Sequence, residues 1–73
     1  MMLCDGKIGS SYVINDIKLP IQIEKRMEAL GMIRDTPISV LNCKGNGILI
    51  VKIRGTRFAL GYNITKNVIV RGI

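Results

Sequence analysis

Residues 38–60 show the most regular pattern in the sequence, an alternation of apolar and polar side chains interrupted by two glycine-containing turns. The alternation predicts β-strands, because successive side chains of a strand point to opposite faces of the sheet. Asn46-Gly47 or Gly45-Asn46 suits a two-residue hairpin loop, and Gly55-Thr56 suits a type II′ turn, which requires glycine first. The segment is therefore predicted to form three short antiparallel strands.

Two-residue loops determine how the strands pair, so each side chain can be assigned to a face. The second loop places Arg54 opposite Arg57, and the two alternatives for the first loop differ by two residues, which leaves the faces unchanged. One face is entirely apolar and is expected to form the core: Ile38, Val40, Leu49, Val51, Ile53, Phe58 and Leu60.

The second face of this predicted meander is mixed. It carries polar, charged and small side chains together with larger apolar ones: Ser39, Lys52, Arg54, Arg57, Ala59, Leu41, Cys43, Ile48 and Ile50. We expect the extra apolar side chains to be buried within the fold by curling of the sheet or by a helix, and the alternative is that a partner covers them. The cations near the second turn form either a solvated hairpin tip or a landing site for an anionic partner.

Two further strands are predicted outside this segment. Residues 11–17 and 67–71 are rich in Val and Ile, and Asn15-Asp16 predicts a bend near the end of the first of these strands. Residues 61–66 are expected to form a turn or a single helical turn. Residues 1–10 are expected to be a lead-in with turn character and an N-terminus that frays.

One helix is predicted over residues 21–30. Pro20 is expected at its first position, where a missing backbone N–H costs little. The apolar stripe of this helix follows the helical period: Ile23, Met27 and Leu30. Gly31 is expected to end the helix in a left-handed conformation, with Met32 packing back onto the last turn.

The resulting architecture is mainly β, with one short helix between strands one and two. Seventy-three residues make a single domain, residues 1–73, without room for a second. Five short strands joined by tight turns predict a small five-stranded barrel that is closed or half open.

Composition narrows the partners and the compartment. The net charge of +6 favours an acidic partner, which could be nucleic acid, an acidic protein face or the cytosolic side of a membrane. Two cysteines are too few for a disulfide framework and indicate a reducing compartment. The chain has neither the pattern of a secretory signal nor an apolar run long enough to cross a membrane, so we expect a cytosolic protein.

The inventory of reactive side chains argues against an enzyme. The sequence contains no His, and neither Cys4 nor Cys43 therefore has a histidine to activate it. Glu24 and Glu28 could form a carboxylate pair on the helix, but a solvated face explains them better. The cysteines and carboxylates show no metal-ligand spacing, so we expect no catalytic residues, no metal site and no cofactor.

The order of these motifs resembles the FeoA family, small cytosolic bacterial proteins of ferrous iron uptake. Residues 26–32, with the sequence RMEALGM, resemble the helix end of that family, and residues 51–60, VKIRGTRFAL, resemble its second hairpin. The resemblance extends over residues 12–70 and implies an SH3-like barrel. It also implies a partner, the membrane ferrous iron permease with its cytosolic G-protein domain, through which any link with iron would run.

Two classes of function remain open. The first is an accessory module that binds the permease and is brought by it to the inner face of the membrane. The residues expected to contact the partner are Leu41, Lys44, Ile50, Lys52, Arg54 and Arg57. The second is a small basic barrel that binds nucleic acid, which is less favoured because only two Tyr and one Phe are available for base stacking. Self-association is also open, since the second face is partly apolar.

Overall fold

The computed structural model describes residues 1–73 and contains one five-stranded antiparallel sheet. The predicted core face is the buried face of this sheet. The elements in chain order are a 3₁₀ turn at Leu3–Asp5, β1 (Ser11–Ile17), α1 (Ile21–Ala29), β2 (Pro37–Lys44), β3 (Ile48–Ile53), β4 (Thr56–Leu60), α2 (Tyr62–Thr65) and β5 (Val68–Gly72). The strands are ordered β4-β3-β2-β1-β5, so β4 and β5 are the two edges. Each neighbouring pair is antiparallel, as expected for a meander with one final strand added beside the first.

Twelve apolar side chains form one buried cluster inside this sheet. Its members are Leu3, Tyr12, Ile14, Met32, Ile38, Val40, Leu49, Val51, Ile53, Leu60, Val68 and Val70. The predicted core face is therefore confirmed, with the difference that Phe58 is half-buried and packs against the cluster rather than within it. The apolar and polar alternation identified these positions because one side of each strand must avoid water.

The end of α1 is confirmed in its geometry. Gly31 has a φ of 97°, its N–H donates to the carbonyl of Glu28 at 2.9 Å, and the N–H of Met32 donates to that of Met27 at 2.9 Å. These are the two hydrogen bonds of a Schellman motif. The start differs by one residue, because Pro20 is the N-cap with extended backbone rather than the first helical residue. No side chain of α1 is fully buried, so the helix covers the sheet only partly.

The second hairpin turns one residue earlier than the sequence suggested. Arg54 and Gly55 have φ values of 50° and 84°, the pattern of a type I′ turn rather than a type II′ turn at Gly55-Thr56. Lys52, not Arg54, therefore faces Arg57, and Val51 faces Phe58. The shift changes the pairing by two residues, so the side chains that remain in the strands stay on their predicted faces, whereas Arg54 lies in the turn and leaves the face predicted for it.

The first hairpin has a three-residue turn at residues 45–47 instead of the predicted two-residue loop. A turn longer by one residue would move every apolar side chain of β2 to the opposite face. A bulge at Leu41 corrects this, since Val40 pairs with Val51 whereas Asn42 pairs with Ile50. Beyond the bulge Cys43 pairs with Leu49 and is not on the face predicted for it.

The N-terminal residues are pinned to the fold, contrary to the expectation of a fraying lead-in. Leu3 is fully buried in the core cluster. The amino group of Met1 donates to the carbonyl of Val70 at 3.0 Å, and the N–H of Val70 donates to the carbonyl of Met1 at 2.7 Å. Met2 forms an antiparallel bridge with Ile69, so residues 1–2 cover the outer edge of β5.

Candidate partner-binding face

The outward side of strands β3 and β4 brings basic and apolar side chains together. Lys52 lies directly opposite Arg57, and two pairs along the ladder, on the same face, Ile50 lies opposite Ala59. Asn42 of β2 extends the second of these rows because it pairs with Ile50. We call these five residues the outer face. Three of the six predicted partner-binding residues, Ile50, Lys52 and Arg57, are neighbours on it.

The Lys52–Arg57 pair has no acidic counterpart. Both side chains are exposed and neither forms an ion pair. Residues 36–73 contain six Lys and Arg and no Asp or Glu, whereas residues 1–35 contain five of each. Two like charges directly across a strand pair are unfavourable by a few tenths of a kcal/mol, and this fold leaves them uncompensated.

Two cations close to β1 and β5, Arg34 and Arg71, do form ion pairs. Arg34 contacts Asp16 at 2.9 Å, and Arg71 contacts Asp35 at 3.0 Å and Asn15 at 2.8 Å. The hydrogen bond from Arg34, together with one from the backbone N–H of Ile17, lowers the pKa of the Asp16 carboxyl. The net positive charge of the chain therefore lies entirely in residues 36–73.

Arg54 lies apart from the outer face, at the tip of the second hairpin. A Cβ on Gly31 would lie 3.3 Å from Arg54 Cδ and 3.3 Å from Ile53 Cγ2, so the arginine stem lies over the end of α1. The carbonyls that end a helix carry partial negative charge, which favours a cation there. The position of Arg54 is accounted for by this packing, and the predicted opposition to Arg57 is wrong.

Lys44 and Leu41 lie towards the other hairpin. Lys44 pairs with Ile48, which is four residues from Lys52 along β3, roughly 13 Å. Leu41 is the half-buried residue of the bulge. The six predicted residues therefore extend from one hairpin tip to the other, with only three of them clustered in the middle.

The extra apolar side chains are not buried within the fold as expected. Ile48 is 42% exposed, Cys43 is exposed, and Leu41 and Ile50 are half-buried. α1 does not cover them, because its end lies at the opposite, Arg54 end of β3. Ile48 and Ala59 were recognisable from the alternation as members of this side, but Asn42 was not, because its place depends on the bulge at Leu41.

A second surface feature is a shallow pocket of about 370 Å³ beside α1. Its lining is Ile17, Glu24, Glu28, Met32, Ile33 and Arg34.

The structure contains no cluster of three or more His, Cys, Asp or Glu side chains arranged to hold a metal ion. Cys4 and Cys43 are free thiols, and the pKa of Cys4 is raised by burial and by the neighbouring Asp5. None of the helices is both long and apolar enough to cross a bilayer.

Comparisons with known proteins agree with this fold. An iron uptake regulatory protein, FeoA, is 24% identical, with a TM-score of 0.88 over 97% of this chain and 95% of that one. FeoA from Stenotrophomonas maltophilia, complexed with zinc and described as a prokaryotic SH3 domain protein, is 27% identical, with a TM-score of 0.77 over 96% and 88%. A manganese-dependent transcriptional repressor shares the fold at 19% identity and a TM-score of 0.90, with this chain spanning 41% of its length.

No curated protein sequence gave a significant match. The family model of the FeoA domain, in contrast, matches residues 1–72, nearly the entire chain. The predicted resemblance and the SH3-like barrel of five strands and one principal helix are both confirmed. The chain belongs to the FeoA family of ferrous iron transport accessory proteins.

Proposed function

We propose that this protein is a non-enzymatic accessory module of bacterial ferrous iron uptake that binds the cytosolic side of the membrane ferrous iron permease, which carries a G-protein domain. The contact surface is the outer face with its two flanks: Leu41 and Lys44 at one end and Arg54 at the other. In this proposal the protein regulates or stabilises the permease from the cytosol and contributes no catalytic group.

One observation carries the proposal: an exposed pair of cations that forms no ion pair lies on the same side of the sheet as exposed or half-buried apolar side chains. Lys52 and Arg57 supply the charge, and Ile48 and Ile50 supply apolar area. Protein interfaces combine an apolar centre with a polar rim, and charge complementarity selects the partner and speeds association. An acidic patch with an apolar centre on the permease would fit this surface.

The relatives support the link with iron. The S. maltophilia protein is described as a candidate ferrous iron transport activating factor, and another FeoA as an iron uptake regulatory protein.

The test is recovery of the permease from detergent-solubilised native membranes with tagged protein, after nuclease treatment. We expect the wild-type protein to recover the permease and the variant Lys52→Glu with Arg57→Glu to lose it. The matched control is Lys25→Glu with Arg26→Glu, which makes the same charge change on exposed positions of α1 and should still recover the permease.

Two results would contradict the proposal. Equal recovery by the two charge-reversed variants would show that the outer face is not the contact surface. Recovery of RNA or DNA alone from a parallel sample without nuclease, and of nothing from the nuclease-treated sample, would replace the permease with nucleic acid as the partner, and binding should then weaken steeply with salt.

A further inference from the structure

The two edge strands of the sheet differ in what lies beyond them. The outer edge of β5 is covered by residues 1–2, which exchange hydrogen bonds with Val70 and bridge to Ile69. The outer edge of β4 is not covered, because β4 pairs only with β3. An uncovered strand edge presents backbone donors and acceptors that another extended chain can bind.

The free backbone groups of β4 can be identified from the hairpin. A two-residue turn makes Ile53 and Thr56 a hydrogen-bonded pair, and hydrogen-bonded pairs alternate along an antiparallel ladder. Phe58 therefore bonds to β3, whereas the N–H and C=O groups of Arg57 and Ala59 point away from it. No hydrogen bond in the fold outside the strand ladders involves Arg57 or Ala59, and both residues are exposed.

The side chains of β4 define the chemistry of a strand that could pair there. A residue opposite Arg57 would share its face and lie beside Arg57, with Lys52 one strand further away at about 10 Å, so a carboxylate is favoured at that position. A residue opposite the half-buried Phe58 would point to the core side, where an apolar side chain is favoured. A complementary strand thus alternates acidic and apolar residues.

We propose that β4 binds an extended, acidic segment of a partner protein as a sixth strand of the sheet, with hydrogen bonds to the backbone of Arg57 and Ala59. This inference rests on the proposed function only for the identity of the partner. A second copy of β4 is a poor occupant, because pairing two copies would assemble Arg57 and Lys52 from each with no carboxylate between them.

The experiment is amide hydrogen exchange by NMR on the wild-type protein, without and with a capped hexapeptide of alternating valine and glutamate. In the free protein, the amides of Arg57 and Ala59 should exchange fast and that of Phe58 slowly. The saturating peptide should slow exchange at Arg57 and Ala59 by at least about tenfold and leave Phe58 unchanged. A peptide of alternating valine and lysine is the charge control and should not bind.

A variant pair separates backbone pairing from other modes of binding. Ala59→Pro removes an outward-pointing N–H, which an edge strand tolerates without losing its bond to β3. We expect it to weaken the valine–glutamate peptide by about tenfold or more, while Ala59→Thr, which keeps the N–H, binds like wild type. Wild-type affinity in a folded Ala59→Pro variant would overturn the proposal.

Two other outcomes would also overturn it. Without peptide, protection of the Arg57 and Ala59 amides from exchange that increases with protein concentration would identify a second copy as the occupant. Peptide binding that protects neither amide would place the ligand elsewhere. A different outcome separates the two proposals. If the wild-type protein does not recover the permease but still binds the peptide at β4, the proposed function is rejected and strand addition at β4 is retained.

Discussion

Both edge strands of this sheet have backbone N–H and C=O groups that point away from the sheet, and only those of β5 are paired within the fold. The edge of β5 is closed by the chain's own N-terminus, whose Met1 exchanges hydrogen bonds with Val70. The edge of β4 is left open and is short, with Arg57 as its second residue and Arg54 in the turn before it. Short length and positive charge are common ways to prevent non-specific pairing of an exposed edge.

The difference extends to charge. Arg71, on β5, is neutralised by Asp35, and Arg34 is neutralised by Asp16 of β1. Lys52 and Arg57, on the open side, have no such partners. In the proposed binding mode, the covered edge with its paired charges stabilises the fold, and the open edge with its unpaired charges contacts the partner.

The largest expected effect comes from removing the anchor of the closed edge. Leu3→Ala deletes a fully buried side chain and should lower the free energy of unfolding by about 2–5 kcal/mol. Urea unfolding measures the loss, and amide exchange at Val70 should accelerate because Met1 is no longer held beside it. Met2→Ala is the control, since Met2 is 44% exposed, and should change stability by less than about 0.5 kcal/mol. A small loss for Leu3→Ala would mean that the edge is closed without this anchor.

The next effect is at the helix end beneath the second hairpin. Gly31→Val puts a β-branched residue at a φ of 97° and 3.3 Å from both Ile53 and Arg54. Backbone strain of this kind costs about 1–2 kcal/mol, and crowding adds to it. Gly9→Val is the matched control, because Gly9 has a φ of 88° but open space around it. Equal losses of melting temperature in the two variants would show that the packing of Arg54 over Gly31 contributes nothing.

The smallest effect concerns the paired charges. The pKa of Asp16 is lowered by Arg34, so its folded-state pKa is below its unfolded value. The resulting stabilisation is present above the unfolded pKa and is lost as the pH falls through the lowered folded pKa. Asp16→Asn should therefore lose less melting temperature than wild type between neutral and acidic pH. Identical pH dependence of the two proteins would contradict a stabilising role for the Arg34–Asp16 pair.

Sequence reasoning worked where a local rule has a single solution. Gly31 was identified as the helix stop because only a left-handed residue completes the Schellman hydrogen bonds. The bend predicted at Asn15-Asp16 is a bulge at Asn15, where the pairing of β1 with β5 shifts. The turn positions of the hairpins are harder to predict from the sequence. Arg54-Gly55 and Gly55-Thr56 are both suitable two-residue turns, and a shift of two residues leaves the same side chains on each face.

The candidate site was predictable in its residue types and only partly in its geometry. Lys52, Arg57 and Ile50 were placed on one surface by period-two alternation alone. The separation of Arg54 depended on the turn chosen, and the position of Asn42 depended on a bulge that compensates for a three-residue loop. Neither the loop nor the bulge is favoured strongly by its own residues, so their combination is decided by the need to bury Ile38 and Val40.

Local patterns in the sequence are enough to specify which side of each strand is apolar, where α1 ends, and that residues 36–73 carry all the excess positive charge. These properties depend on neighbours a few residues apart. The covering of the β5 edge by residues 1–2 and the open edge of β4 depend instead on contacts between distant parts of the chain. The reason is physical: Met1 and Val70 are 69 positions apart, and no local preference specifies a contact that forms only after the core has brought the two ends of the chain together.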